Sequence, residues 1–251
     1  MRKFVKSVLS IFTFCMVALP LTRISQAQET VLVIHAVNYP PYEIENPDID
    51  SLLGFDVEVA VQAFKKVGRR AQVEFRPWKR VVAMAKAGTT VAMLSCGRTP
   101  GREDYIFYSD PISTATRTYA ASVKFSGQEP TSLESVQDLR ILTVSGYASE
   151  KELKAANIDF DPIIDDVSAI RILLNRDFDL FYTTREFVEY IAGGLGLSKN
   201  LQYFDTGKQI SYHLCFSKGW PGAETLRDTF NKGLAEIRED GTYDAIHAKY
   251  K

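Results

Sequence analysis

Apolar positions along this chain fall into short β-rich runs alternating with stretches of helical period, a pattern that predicts α/β layers with largely parallel sheets. Val31 to Val37 reads as a buried strand. Val57, Ala60, Val61 and Phe64 then fall at i, i+3, i+4 and i+7, one face of a helix, and Gly68 stands where that helix would end. Ala71 to Phe75 reads as a second strand, and Lys79 to Ala87 as a helix stopped by Gly88. Thr90 to Ser95 reads as a third strand.

The same grammar restarts after Lys124. A loop with Gly127 and Pro130 precedes a short helix near Leu133 to Leu139 and a strand from Arg140 to Ser145. Gly146 opens a turn into a helix from about Ser149, and Ile170, Leu173 and Leu174 mark the next helix. Phe178 to Thr183 reads as a strand with another helix behind it, and Leu201 to Phe204 and Gln209 to Phe216 as two further strands. Leu226, Phe230, Leu234 and Ile237 share one face of a long amphipathic helix, with a short helix after Gly241. No floppy linker separates the two α/β units, so they are expected to pack as two lobes.

The first residues change the picture. Arg2, Lys3 and Lys6 precede an uncharged run from Ser7 to Thr22, and Ser25-Gln26-Ala27 supplies small residues for cleavage after Ala27. Sixteen uncharged residues fall short of the ~20 that span a bilayer, so residues 1 to 27 read as a cleaved signal peptide and the product as exported. Cys15 follows bulky Phe12-Thr13-Phe14, unlike a lipid-anchored cysteine. The removed segment carries Arg2, Lys3, Lys6 and Arg23 and no acid, which leaves 26 basic against 31 acidic residues, a balance of −5. That surface has no polycationic footprint for nucleic acid. His35, His213 and His247 are scattered, and neither metal-ligand spacing nor a phosphate loop or nucleophile elbow occurs, so no metal, cofactor or catalytic residue is expected. Cys96 and Cys215 remain, as a disulfide permitted by an oxidising compartment or as two buried thiols.

Several short motifs occur in one order. They are Tyr39-Pro40-Pro41-Tyr42, Gly54-Phe55-Asp56-Val57-Glu58, Thr99-Pro100-Gly101-Arg102 followed by Phe107-Tyr108-Ser109-Asp110-Pro111, Ser145-Gly146-Tyr147, and Ile237-Arg238 through Gly241-Thr242-Tyr243 to Lys249-Tyr250. In that order they resemble the type II periplasmic solute-binding proteins of the polar amino-acid class. The resemblance implies two Rossmann-like lobes joined by a hinge that the chain crosses twice, with the ligand cleft between them. Lobe one would be residues 28 to 117 plus 213 to 251 and lobe two residues 118 to 212, with crossings near Arg117 and Tyr212. It further implies a periplasmic monomer that closes on a small molecule and delivers it to the permease of an ABC importer. In such a fold the strand returning from lobe two lies beside the third strand of lobe one, which makes Cys96 and Cys215 candidate disulfide partners.

The family uses the arginine matching Arg102 to hold a ligand carboxylate, for which a planar guanidinium fork is well shaped. Around it the resemblance places Thr99 at the following turn, Ser95 at a strand end facing the cleft, Tyr39 and Trp78 as walls, and Tyr147 at the second lobe's turn. One departure matters. Amino-acid binders carry an aspartate for the ligand's ammonium where this chain has Thr184, and a threonine cannot neutralise a buried cation. Arg98 and Arg185, if either reaches the cleft, add positive charge, so the expected ligand is carboxylate-bearing or otherwise anionic. Two other readings stand beside this one. The fold also supports dehydratases of cyclic prephenate-like acids, for which Glu186 and Glu189 are the candidate proton-transfer groups. The closed protein would alternatively dock on a membrane receptor as a ligand-sensing adaptor.

Overall fold

The computed structural model describes residues 30–46 and 52–250, so the signal peptide reading lies outside the described residues. From its start the chain runs β1 (Leu32–Ala36), α1 (Phe55–Lys66), β2 (Ala71–Phe75), α2 (Trp78–Lys86) and β3 (Ala92–Gly97) into the long strand β4 (Ile106–Ser122). The second unit follows as β5 (Ile141–Val144), α3 (Ala148–Ala155), β6 (Asp161–Ile163), α4 (Asp166–Asn175), β7 (Leu180–Thr184) and α5 (Arg185–Gly194). A second long strand, β8 (Leu201–Ser217), returns to the first unit, where α6 (Ala223–Glu239) and α7 (Thr242–Ala248) complete it. All eight strands form one sheet in the order β2-β1-β3-β8-β4-β7-β5-β6. Pairing is parallel on both flanks and antiparallel wherever β4 or β8 takes part.

Each flank buries its own core. In the first, α1 turns Phe55, Val59, Ala60, Ala63 and Phe64 inward, with Asp56 and Glu58 in its first turn and Lys65 and Lys66 in its last, the charge order that suits a helix dipole. Its backbone lies so close to α6 that a Cβ added at Gly233 would stand 2.0 Å from the Ala63 carbonyl oxygen. Gly54, just before α1, has φ 95°, and a Cβ there would meet the Tyr42 carbonyl at 2.4 Å. Its N–H donates to the Tyr250 hydroxyl at 2.9 Å, which ties the C-terminal motif to the second motif. In the other flank, Leu142, Val144, Ala169, Ile170, Phe181 and Val188 form a separate cluster. Asp165 caps α4 by accepting the Ser168 N–H at 2.8 Å.

Two expectations change. Leu201 to Phe204 and Gln209 to Phe216 belong to one seventeen-residue strand, which passes through Gly207 at φ 73° without breaking. The helix expected near Leu133 is a single 3-10 turn, Glu134–Val136. Arg117 lies in the interior of β4. No helix among the described residues is long and apolar enough to cross a membrane.

Cys96 on β3 and Cys215 on β8 form a disulfide, with Cα atoms 6.0 Å apart, inside the ~7 Å limit for bridging. Serine at both positions is expected to lower the melting temperature by roughly 5 to 15 °C, from about 2–5 kcal/mol for a native bridge at about 2–4 °C per kcal/mol. An unchanged melting temperature, or free thiols in the unfolded unreduced protein, would show the bridge to be absent.

Two acids lie fully buried in the first flank, Glu43 and Asp56. Burial pushes the Asp56 carboxyl up to about 7 against the pull of hydrogen bonds from Ser95 (2.7 Å) and Ser113 (2.9 Å). Burial and then neighbouring Asp56 raise Glu43 well above the carboxylate range. Between pH ~4 and ~7 the folded protein therefore keeps a proton at Asp56 that the unfolded chain has released, so this group's contribution falls as pH rises through that window and is level above it. Burial lowers His35 and His213, which act in the opposite direction. The clean measurement is therefore a difference. Urea denaturation should show Asp56→Asn gaining about 2 kcal/mol on the wild type between pH 5 and pH 8. A pH-independent difference would mean that Asp56 is ionised throughout.

Candidate functional site

A cavity of about 490 Å³ lies between the two flanks, a volume typical of small-molecule sites. It opens at the carboxyl ends of β1, β3 and β5, where parallel α/β sheets bind ligands, with β4 and β8 as its floor. The first lobe contributes Tyr39, Glu43, Trp78, Ser95, Arg98 and Arg102, and the second contributes Tyr147, Ala148 and Glu152.

Arg102 is 4 % exposed. Its Nη1 donates to the Gly97 carbonyl at 2.5 Å and approaches the Cys96 sulfur at 3.5 Å, and its Nε has no hydrogen-bond partner. The guanidinium lies 5.5 Å from the Trp78 ring centroid. No carboxylate pairs with it among the described residues. It is thus a buried guanidinium at the cavity wall with no carboxylate of its own among the described residues.

The other expected residues divide. Arg98 is exposed, lines the cavity and lies 4.3 Å from the Tyr108 ring centroid. Ser95 sits at φ 44° and donates its hydroxyl to Asp56, so the proton expected to face a ligand is used inside the lobe. Thr99 is buried but does not line the cavity; its carbonyl accepts the Arg102 N–H at 3.1 Å and so shapes the turn that carries the arginine. Thr184 is likewise outside the cavity wall, and its hydroxyl is hydrogen-bonded to the Tyr39 hydroxyl across the cleft. Tyr39 stacks on Phe187 with centroids 4.4 Å apart and meets Tyr147 edge-on at 5.8 Å. Arg185 does not reach the cleft: it pairs with Glu189 at 2.5 Å and Asp205 at 3.3 Å. Glu189 is thereby used, and Glu186 accepts the Thr116 N–H at 2.9 Å and the Thr116 hydroxyl at 2.8 Å, so neither acid faces the cavity.

Sequence reasoning missed the floor. Arg117, on β4, is 4 % exposed and lines the cavity. Its Nη2 pairs with Glu152 at 3.1 Å, its Nη1 donates to the Thr183 carbonyl at 3.3 Å, and its Nε has no partner. Burial raises the Glu152 carboxyl, but Arg117, the Tyr182 hydroxyl and Lys208 outweigh it and hold the group below its ordinary range. Tyr182 donates at 2.7 Å and Lys208 lies at 3.0 Å. His213 donates Nδ1–H to the Ser109 carbonyl at 2.7 Å, since a carbonyl only accepts, and burial keeps the ring neutral, which leaves Nε2 as an acceptor. The one available signal for Arg117 was a charge inside the β4 run of small and apolar residues, where unpaired cations are rare.

The model for bacterial extracellular solute-binding proteins, family 3, matches residues 31–251. The chain is 25% identical over 217 residues to the L-cystine-binding protein TcyA of Bacillus subtilis, covering 84% of this chain and 77% of that protein. It is 24% identical over 258 residues to the arginine-binding periplasmic protein of Mannheimia haemolytica, covering 98% of each. Among solved structures it is similar to the arginine-, lysine-, histidine-binding protein ArtJ of Geobacillus stearothermophilus, with a TM-score of 0.74 at 18% identity over 88% of this chain and 94% of that one. The two-lobed sheet, the cleft between its flanks and the match over nearly the whole described chain place this protein in the bacterial extracellular solute-binding proteins, family 3.

Proposed function

We propose that this chain captures a small carboxylate-bearing metabolite by hinge closure in the periplasm and delivers it to the permease of an ABC importer. The observation that carries this reading is Arg102, a buried guanidinium facing the cleft without an acid of its own. A ligand carboxylate there would replace an uncompensated buried charge with a charge-assisted pair. Trp78 and Tyr147 would wall the ligand, and Arg98 would extend the positive surface toward the mouth of the cleft. Ser95 and Thr99 would hold the loop that positions Arg102, while Thr184 would secure closure through Tyr39. The hinge lies where β4 and β8 pass between lobes, with residues 28 to 117 and 213 to 251 on one side and 118 to 212 on the other.

The relatives named for cystine, arginine, lysine and histidine take amino acids, which all carry a carboxylate. Their ammonium is a different matter. Here the hydroxyl of Thr184 is bonded to Tyr39, and Glu152 already serves two cations, so neither is free to neutralise a ligand ammonium.

A thermal-shift screen of amino acids, organic acids and polyamines is the direct test. A carboxylate at 100 times its dissociation constant should add ~2.7 kcal/mol, a rise of roughly 5 to 10 °C. Arg102→Gln should remove that shift. Tight binding of lysine or arginine, with no response to organic acids or acidic amino acids, would overturn the reading.

A further inference from the structure

The cavity is lined by four cations, Arg98, Arg102, Arg117 and Lys208. Against them stand three carboxyl groups, of which burial pushes Glu43 toward its neutral form, leaving Asp110 and Glu152, two against four. Glu152 is divided between Arg117 and Lys208, at 3.1 and 3.0 Å. Lys151 on α3 feels the same imbalance. Burial and then the nearby cations Arg102 and Lys86 lower its ammonium, with Glu150 as the partial offset. One bound carboxylate at Arg102 leaves this surplus incompletely met.

A second buried guanidinium shows where the rest belongs. Arg102 and Arg117 are each 4 % exposed, each lines the cavity, and each keeps an unpartnered Nε. They stand on different elements, Arg102 after β3 and Arg117 in the interior of β4, and both line one cavity.

We infer that the ligand carries two acid groups, a dicarboxylate or its chemical equivalent, with Arg102 holding one and Arg117 reading the other. This rests on the carboxylate reading of the cleft and adds the specificity-determining role of Arg117. Glu152 then positions Arg117 rather than neutralising it, because Lys208 supplies a second cation to the same carboxylate.

Calorimetric titration of the whole protein with linear α,ω-dicarboxylates from malonate to adipate, each beside its monomethyl ester, tests the inference. The best dicarboxylate should bind at least about tenfold tighter than its own monoester. Arg117→Gln should bring the two within about twofold by weakening the dicarboxylate more than its monoester, whereas Arg102→Gln should weaken both. Loss of Arg117 alone leaves Glu152 buried beside fewer cations, so the paired variant Arg117→Gln with Glu152→Gln guards against a folding failure. The wild-type comparison needs no variant at all. Equal wild-type affinities, or a dicarboxylate preference that survives in the paired variant, overturn the role of Arg117 and leave the carboxylate reading standing. Failure of every mono- and dicarboxylate to bind overturns both.

Discussion

Two seventeen-residue strands, β4 and β8, run antiparallel from the pair Ile106 and Ser217 to the pair Ser122 and Leu201, and both lobes hang on that ladder. Their ends are clamped: β3 pairs with β8 at one end, and β7 pairs with β4 from Arg117 to Ala120 at the other. The middle of β8, from Asp205 to Ser211, is mostly exposed, and of its residues Ile210 alone packs against the apolar cluster of either flank. Register shifts in the ladder between Tyr108 and Thr118 and the positive φ of Gly207 fall in or beside the same stretch. Bending there disturbs few buried contacts, whereas bending at either end would open a core. The ladder also builds the site, because Arg117, Lys208, Tyr212 and His213 all come from these two strands.

Placing a permanent charge in that floor has consequences for its surroundings. Arg102 is held by the Gly97 carbonyl and by the sulfur of Cys96, the residue that the disulfide ties to β8. The bridge thus fixes the end of β3, which carries the guanidinium's two protein contacts. The acids close to this wall are handled differently from an ordinary ion pair: Glu43 and Asp56 are pushed toward their neutral forms by burial and spaced by the hydroxyls of Ser95 and Ser113. Glu43 lines the cavity with its charged form disfavoured by burial. Ser95, at φ 44°, donates its hydroxyl to Asp56 and so opposes in part the burial that disfavours the carboxylate.

Much of this was legible in the sequence, for identifiable reasons. The helices with a sustained apolar face, such as Phe64 on α1 and Leu226 through Ile237 on α6, were readable because one core decides every position on that face. The span Gly207-Lys208-Gln209 misled because the middle of a crossing strand has no core to face, so it lacks alternation and resembles a turn. Asp161–Ile163 escaped notice for a similar reason, as an edge strand with two exposed residues of three. At the site, Arg102 stood in a recognisable local motif. Arg117, Glu152 and Lys208 did not, since what unites them is long-range pairing between β4, β7 and β8 and the placement of α3. Thr184, read from the sequence as standing where relatives carry an aspartate for the ligand, has the protein's own Tyr39 as its partner.

That last contact makes the cleft asymmetric. On the aromatic side the lobes meet directly, through the Tyr39 and Thr184 hydroxyls and the stacked rings of Tyr39 and Phe187. On the cationic side, Glu152 of α3 pairs with Arg117, Lys151 of α3 lies close enough to feel the charge of Arg102, and cations outnumber carboxyl groups along the cavity wall. Repulsion of that kind grows as water leaves and the local dielectric falls. On the carboxylate reading proposed above, a neutral or cationic solute would leave it in place, whereas an anion would pair with Arg102, and discrimination would reside in the cost of closing around the wrong charge.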